Sequence, residues 1–483
     1  MGLFSPTPAV WTAGEDLPPS GRRAGSGDRG NIRAMPIAVV LLLVSLLPCS
    51  ALHTSMPPPK GPSADLAYLR SAARQVTSAA IVRPGAAVTG GGVNTTGTTL
   101  RAPGGTLTTY PAFWIRDAAM MTGAGFVDAA ELNGWIRVIA AIQPGAGGLT
   151  FPHGLSVPAY SIPDHITFGG AACWFPGAYT DQGVGNYGYL PPADDAYYFI
   201  QIVNEYVRLS RSPEAFRTEV ATPWGEQPLD TVCAHAFDSV AIDGGSGLVT
   251  CGNTPTTRRV DWGFCDSITK SGECLMPSLL RWQAANRMAN LFDGIGKRRE
   301  AQRFRAAAAL IRRSIRSTFY QPTGDGRALL LSATGIGRKD DVWASAFAVW
   351  LGTLPAAESR AVARHLVDLY LGGEICEDGQ VRQLPRTGPL GGDWESASSG
   401  PGAYQNGGYW ATPTGWLVVA MHTVDPAAAA RLLHEYAGFV AARRAEGAPY
   451  EWVNPSTNSF VNANYGSSAG LVVAAIEHAG IYR

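Results

Sequence analysis

An adjacent arginine and aspartate, Arg116 and Asp117, follow the aromatic pair Phe113-Trp114 in a Pro-containing loop. Arginine donates and aspartate accepts hydrogen bonds to neighbouring hydroxyl groups, while an aromatic ring packs on an apolar ligand face. A sugar presents both kinds of surface, so the segment Phe113–Asp117 is predicted to line a sugar pocket. The structural alternative is that Asp117 only caps a helix.

Two aspartates in the middle of the chain, Asp261 and Asp266, flank the turn Trp262-Gly263-Phe264. A carboxyl group against aromatic rings is poorly solvated, which raises its pKa and keeps it protonated at neutral pH. Such a group can act as the general acid that cleaves a glycosidic bond. Asp266 is favoured because it lies closer to the next helix, and Asp261 stays open. A loop that only caps a helix is the alternative.

The second carboxylate of such a pair is expected late in the chain, facing the first across a pocket. Glu451, between Tyr450 and Trp452 and just before an Asn-Pro turn, is the candidate base. Glu395 is its rival, and an ordinary surface glutamate is the structural alternative.

Further pocket residues are expected on two other segments. Asp194 and Asp195 open a helix, where two acids complement the helix dipole. One of them, with Asp195 favoured, is expected to contact the substrate. Gln405 and Asn406, whose amides donate and accept, precede Trp410 in a Gly-rich stretch where the backbone can approach a ligand.

Two histidines, His153 and His165, stand alone in aromatic loops, and we expect them to be ordinary polar surface. No His- or Cys-rich cluster with zinc-ligand spacing is present in the sequence, so neither a metal nor another cofactor is expected.

Across roughly residues 64–483 these segments resemble, in order, motifs of the six-hairpin glycosidases. Residues 114–117 are similar to the Trp-x-Arg-Asp segment of glucoamylases, and residues 451–455 to the late Glu-x-x-Asn-Pro segment of processing glucosidase-like enzymes. The resemblance implies that Arg116 and Asp117 hold the sugar while Glu451 serves as catalytic base. The loop that holds the two candidate acids, residues 261–266, is called the acid loop. It departs from the family pattern, because four residues separate its two aspartates.

The elements that position these residues are predicted to be helices joined by loops of two kinds. Apolar residues at i, i+3 and i+4 spacing indicate twelve helices. They are predicted at 64–80, 116–123, 127–142, 192–210, 227–240, 273–293, 297–318, 340–353, 357–371, 410–423, 425–444 and 466–480. Short connections alternate with long Gly/Pro/aromatic loops, which is typical of helical hairpins whose long loops gather at one end. The predicted fold is all-α, an (α/α)6 barrel over residues 64–483, with strands confined to short runs such as 247–251 and 328–332.

The N-terminal segment predicts export. Four arginines precede the apolar run 36–48, which is short for a membrane span and suits a signal peptide or an uncleaved anchor. Residues 1–52 are therefore interpreted as a leader and 53–63 as a Pro-rich linker, placing the protein outside the cytoplasm, secreted or membrane-anchored. Six cysteines beyond the leader permit disulfides, with Cys233/Cys251 and Cys265/Cys274 the pairs that are close in sequence.

The charge composition limits the classes of partner that the protein is expected to bind. Lys+Arg and Asp+Glu both number 38, so the electrostatic footprint of a nucleic-acid binder is missing. A carbohydrate substrate is expected, with membrane contact only through the possible anchor. The leading hypothesis is an exo-acting, inverting glycoside hydrolase of neutral sugars. A sugar phosphorylase, epimerase or lyase on the same barrel, or a non-catalytic carbohydrate-binding protein, are the alternatives.

Overall fold

All twelve helices that the sequence predicts are present in the computed structural model, which describes residues 61–88, 92–104, 110–151, 156–175, 190–254, 267–323 and 328–482. The helices are α1 Pro62–Ala79, α2 Ile115–Thr122, α3 Ala129–Ala140, α4 Asp195–Ser210, α5 Leu229–Asp238, α6 Leu275–Gly294, α7 Arg298–Phe319, α8 Val342–Leu351, α9 Ala356–Leu371, α10 Thr414–His422, α11 Pro426–Arg443 and α12 Gly466–Ala479. The predicted ranges of α4 and α10 begin three and four residues before the helices do, whereas the predicted range of α2 is displaced by one residue.

Local chemistry explains several helix boundaries. The Asp425 carboxylate accepts hydrogen bonds from the backbone N–H groups of Ala427 and Ala428 at 3.0 Å, and Pro426 occupies the first position of α11. Asp341 caps α8 in the same way. Gly352 ends α8 with a φ of 70°, a left-handed conformation that costs glycine little.

The even-numbered helices contact one another in a cyclic order. Contacts join α2 with α4, α4 with α6, α6 with α8, α8 with α10, α10 with α12, and α12 with α2. The odd-numbered helices each contact one or two of these: α3 and α5 pack on α4, α7 on α6, α9 on α8 and α10, α11 on α10, and α1 on α12.

Burial separates the two sets. All eight residues of α2 and the first seven of α8 are buried, as expected of helices packed on all sides. On α7, by contrast, buried residues such as Phe304, Ala308 and Ile311 recur every three or four positions, and its arginines face outward. The short turns α6–α7, α8–α9 and α10–α11 each join an even-numbered helix to the odd-numbered one that follows.

The long loops that lead into the even-numbered helices carry small antiparallel sheets, and one further hairpin precedes α5. The prediction of an all-α chain is therefore only partly correct. The strands are β1 Ile81–Val82, β2 Ala87–Val88, β3 Gly92–Val93, β4 Leu100–Arg101, β5 Ala112–Trp114, β6 Leu149–Thr150, β7 Ser156–Val157, β8 His165–Thr167, β9 Ala172–Cys173, β10 Glu219–Thr222, β11 Gly225–Pro228, β12 Thr250–Cys251, β13 Gly272–Glu273, β14 Cys376–Glu377, β15 Gln380–Arg382, β16 Tyr409–Trp410, β17 Tyr450–Asn454 and β18 Ser459–Ala463. The largest sheet has the order β14-β15-β16-β17-β18 and pairs Trp410 with Trp452. Strands of two to five residues show too little alternation to be recognised in sequence.

The cysteines do not form the predicted Cys233/Cys251 disulfide. Cys233, on α5, packs in the main core, whereas Cys251, on β12, lies in a separate small cluster with Cys274 and Ala333. Nearness in sequence therefore did not bring these two thiols together. Cys265, the partner suggested for Cys274, lies outside the described residues.

The apolar run 36–48 also lies outside the described residues, so the predicted leader stays a prediction. Within the described part of the chain, no helix is both long and apolar enough to cross a membrane.

Candidate active site

The segment predicted to line a sugar pocket lies where strand β5 runs directly into helix α2. Its residues Trp114, Arg116 and Asp117 are called the clamp below. Trp114 ends β5 in an extended conformation and Arg116 and Asp117 occupy the first turn of α2. All three side chains are buried, at 8% exposure or less. The strand fixes the indole and the helix turns the two charged groups toward neighbouring helix starts.

Arg116 joins the starts of α2 and α4. Its Nε and Nη2 donate to the two carboxylate oxygens of Asp194 at 3.0 and 3.1 Å, a bidentate ion pair. Burial opposes the charged form of the guanidinium, but the negative charges of Asp194 and Asp195 outweigh it and raise the pKa of Arg116. The arginine is thus a permanent cation between two helix starts.

Asp117 joins the starts of α2 and α12. Its Oδ1 accepts hydrogen bonds from the Tyr465 hydroxyl at 2.7 Å and the Ser467 hydroxyl at 2.6 Å. Burial raises the pKa of Asp117, and these two bonds together with Arg116 oppose the shift.

Asp195, the first residue of α4, is fully buried, and neither carboxylate oxygen has a hydrogen-bond partner among the described residues. Burial raises the pKa of Asp195 well above its ordinary value; Arg116 opposes the rise, and the nearby Asp194 and Asp164 add to it. A protonated Asp195 can donate a hydrogen bond, which an ionised one cannot.

His165 is part of this cluster, so the expectation that it is surface polar was wrong. It is 1% exposed on β8, and β8 pairs with β5 so that His165 lies opposite Trp114. The imidazole stacks on the Trp114 ring at a centroid distance of 4.3 Å, and its Nδ1 lies 2.7 Å from Asp164 Oδ2. His153, its counterpart in the sequence, lies outside the described residues.

The Asp164–His165 pair predicts a pH-dependent stability. Burial disfavours the imidazolium, but hydrogen bonds to Asp164 and Cys173 outweigh burial and raise the pKa of His165 to about 9. Because the folded-state pKa exceeds the unfolded value, this stabilisation is complete below about pH 6.5 and is lost as the pH rises through 9. We expect the stability lost in His165→Gln to be larger at pH 6 than at pH 10 by roughly 3 kcal/mol, measured by urea unfolding.

The matched control for that measurement is His235→Gln. Burial lowers the pKa of His235, so its contribution must change with pH in the opposite direction. A His165→Gln effect that is the same at both pH values would contradict the ion pair.

Glu451 is the second residue of strand β17 and is 2% exposed. The Tyr110 hydroxyl lies 2.8 and 2.7 Å from its two carboxylate oxygens, and the Asn462 amide on β18 donates to Oε2. Hydrogen bonds donated to a carboxylate favour its charged form, the state that a base needs. Tyr110 also packs edge-on against Trp114 at 4.9 Å, which places Glu451 beside the clamp.

Glu395, the rival base, has a different environment. Its side chain is 51% exposed, and its Oε1 accepts a hydrogen bond from the Gly337 N–H at 2.9 Å. Both candidate acids, Asp261 and Asp266, lie outside the described residues.

Gln405 and Asn406 hold loops together. Gln405 Oε1 accepts from the backbone N–H of Ser267 at 3.0 Å and from its hydroxyl at 2.7 Å. Asn406 accepts from the Trp394 N–H at 2.8 Å and donates to the Ser399 carbonyl at 2.9 Å. Through Gln405, Ser267, the first described residue after the acid loop, is bonded to the segment that leads into β16. Strand β16 pairs with β17, which carries Glu451.

Trp410, on β16, is buried. Its ring contacts Trp343 at 5.8 Å and Tyr404 at 5.1 Å, and its N–H lies 3.2 Å from the Tyr404 carbonyl. It supports the strand beside Glu451 from within the core.

The Gln405–Ser267 contact predicts a loss of stability on truncation. Gln405→Leu leaves the buried Ser267 N–H without its acceptor, and we expect unfolding free energy to fall by about 1–3 kcal/mol. Gln405→Glu keeps the acceptor oxygens and is the matched control. Chemical denaturation of both variants checks this, and equal losses would mean that the acceptor is not what matters.

The structure thus gathers Trp114, Arg116, Asp117, Asp195 and Glu451 around the starts of α2, α4 and α12. Sequence reasoning missed three partners that complete the cluster, Tyr110, Asp164 and Tyr465, and it favoured Asp195 over the adjacent Asp194. Asp164 directly precedes His165, and Tyr110 stands four residues before Trp114, so part of the signal was present in the sequence. Which of them would meet was set by contacts between distant segments.

Comparisons with known proteins extend this picture at the level of fold. No family model and no curated protein matches the chain. Among solved structures, the chain is similar to a GH63 mannosylglycerate hydrolase from Thermus thermophilus in complex with glucose, at a TM-score of 0.51 and 13% identity, over 84% of this chain and 99% of that one. The same hydrolase in complex with Tris and D-glycerate gives 0.52 and 12%, with the same coverage.

A protein described as a glycosidase matches at a TM-score of 0.50 and 14% identity, over 86% of this chain and 98% of that one. Identities this low carry information about architecture and none about substrate. The helical part of the predicted fold is confirmed to that extent: the chain shares its helical fold with these solved glycosidases.

Proposed function

We propose that this protein is an inverting glycoside hydrolase that removes a neutral sugar from the end of its substrate, within a closed (α/α)6 barrel. The observation that carries the proposal is Glu451, a buried carboxylate held by Tyr110 and Asn462 beside an aromatic and ionic cluster. The cyclic contacts of the even-numbered helices support the closed barrel. The solved glycosidases of similar fold support the reaction class.

Glu451 is the proposed base. Its two oxygens lie between a phenol and an amide that hold them in place, while Glu395 is half exposed and bonded to a backbone N–H. The proposed acid is Asp266, with Asp261 the second candidate. In an inverting enzyme the acid protonates the leaving oxygen while the base activates water on the opposite face, with about 6.5–9.5 Å between the carboxyl groups.

The sugar is proposed to contact Trp114, Arg116, Asp117 and Asp195. Asp195 supports this because its oxygens are buried without a hydrogen-bond partner in the described structure, and burying an unsatisfied polar group is costly. A sugar hydroxyl would satisfy it. Gln405, Asn406 and Trp410 are proposed to form the pocket wall and to fix the loop that follows Asp266.

A panel of aryl glycosides and oligosaccharides tests the activity. We expect hydrolysis by the wild type and its loss in Glu451→Gln. Asp266→Asn and Asp261→Asn identify the acid, because a leaving group as acidic as 2,4-dinitrophenol departs without protonation. The true acid variant should cleave dinitrophenyl glycosides far better than natural ones, and wild-type hydrolysis of all substrates by every variant would refute the mechanism.

Residues 1–52 are proposed to direct export. A fusion of this segment to a reporter active only outside the cytoplasm would test it, and an inactive reporter would contradict the proposal.

A further inference from the structure

A cavity with both polar and apolar walls lies toward the other ends of α2, α4 and α12. Its volume is about 620 Å³, and residues of all six even-numbered helices line it. On α12 these include Leu471 and His478, and on α2 they include Met120 and Thr122. None of the candidate-site residues Trp114, Arg116, Asp117 and Asp195 lines this cavity.

Arg287, on α6, lines this cavity together with Arg208 on α4. Arg287 Nη1 donates to Gln201 Oε1 at 3.1 Å, and Gln201 Nε2 in turn donates to the Ala119 carbonyl at 2.8 Å. No carboxylate lies within ion-pair distance of Arg287 in the described part of the chain. Glu205, also on the cavity wall, is instead bonded by Arg208 at 2.8 Å.

The side chain of Arg287 is only partly exposed to solvent. Burial lowers the pKa of Arg287 to about 10, and the more distant Glu205 and Tyr198 only partly oppose it. A partly exposed guanidinium whose hydrogen bond within the described structure goes to an amide retains donors that a ligand can use. Such donors match a carboxylate, which a guanidinium binds through two parallel hydrogen bonds.

The walls near Arg287 combine aromatic rings with amides. The Phe347 ring packs on Trp416 at 4.3 Å and on Trp350 at 5.8 Å, forming one continuous aromatic surface. The amide side chains that also line the cavity belong to Asn204, Gln283 and Asn290. Aromatic faces beside amide donors and acceptors suit a small molecule with an apolar ring face and several hydroxyls.

We propose that this cavity is a second ligand site and that its ligand is a sugar acid. The carboxylate binds the Arg287 guanidinium, and the hydroxylated body lies between the Phe347–Trp350–Trp416 surface and the amides. The inference does not depend on the proposed hydrolase activity, because it rests on a separate set of residues.

Isothermal titration calorimetry with D-glucuronate tests the proposal, with D-glucose and benzoate as the neutral sugar and the carboxylate without hydroxyls. We expect glucuronate to bind the wild type at least tenfold more tightly than either. Arg287→Gln should weaken glucuronate at least tenfold, since a hydrogen bond between charged groups is lost. Arg303→Gln, which removes an exposed, ion-paired arginine of α7 that does not line the cavity, and Glu451→Gln should leave glucuronate binding unchanged.

Gln201→Glu is an independent variant that keeps the shape of the cavity. It places a carboxylate next to Arg287 and so should abolish glucuronate binding without unfolding the protein. Equal binding of glucose and glucuronate, tighter binding of benzoate, no binding at all, or wild-type affinity in Arg287→Gln and Gln201→Glu would each overturn the proposal. Loss of binding in Glu451→Gln would assign glucuronate to the candidate active site instead.

Discussion

Replacement of Glu451 by Gln is expected to lower kcat by about 10³-fold, within the range of 10²–10⁴ that general acid–base catalysis contributes. The amide keeps the size of the side chain, so substrate binding and KM should change little. It cannot accept the proton of the attacking water, and that is the step removed. Steady-state kinetics on the best substrate of the glycoside panel gives the value.

Glu395→Gln is the matched control for this experiment. Glu395 lies in the long loop before α10, and Glu451 lies on β17, before α12. Unlike Glu451, Glu395 is half exposed, and substitutions at exposed positions usually have small effects. A large loss in Glu395→Gln with normal turnover in Glu451→Gln would exchange their roles.

Replacement of Arg116 by Met is expected to destabilise the protein by about 3–5 kcal/mol, the usual result of removing one partner of a buried ion pair. Asp194 is fully buried and would lose both of its bonds to the guanidinium. Asp195 and Asp164 also lie close enough to Arg116 for their negative charges to raise its pKa. Urea or thermal unfolding measures the loss.

Two further variants separate charge from packing. In Arg116→Met/Asp194→Leu the uncompensated carboxylate is also removed, so much of the stability should return. Arg208→Met breaks an exposed pair with Glu205 and should cost about 0–1 kcal/mol. If Arg116→Met is no more destabilising than Arg208→Met, the cluster does not depend on this cation.

The helices were predictable because their apolar residues repeat over many turns. The sequence analysis placed α11 at 425–444, and the structure has Pro426–Arg443, with Asp425 as its N-cap and Pro426 at the first helical position. The five-stranded sheet was missed because its strands hold two to five residues each. Glu451 was therefore expected near a turn, whereas it lies inside β17.

The partners within the site could be predicted only in part. The type of residue at Arg116 or Glu451 indicates its chemistry, but its neighbours come from segments far away in sequence. His165 was expected to be polar surface because nothing in the local sequence shows that β8 pairs with β5 and brings the imidazole onto Trp114. The Cys233/Cys251 prediction was wrong for the same reason, since a short separation in sequence did not imply contact in space.

The stereochemistry of the first product tests the account most directly. If Glu451 activates water on the face opposite the departing group, NMR spectra recorded in the first minutes of hydrolysis must show the sugar released with its anomeric configuration inverted. A product that first appears with the substrate's own configuration would mean that a carboxylate attacks the sugar directly, and would contradict Glu451 as the base of an inverting hydrolase.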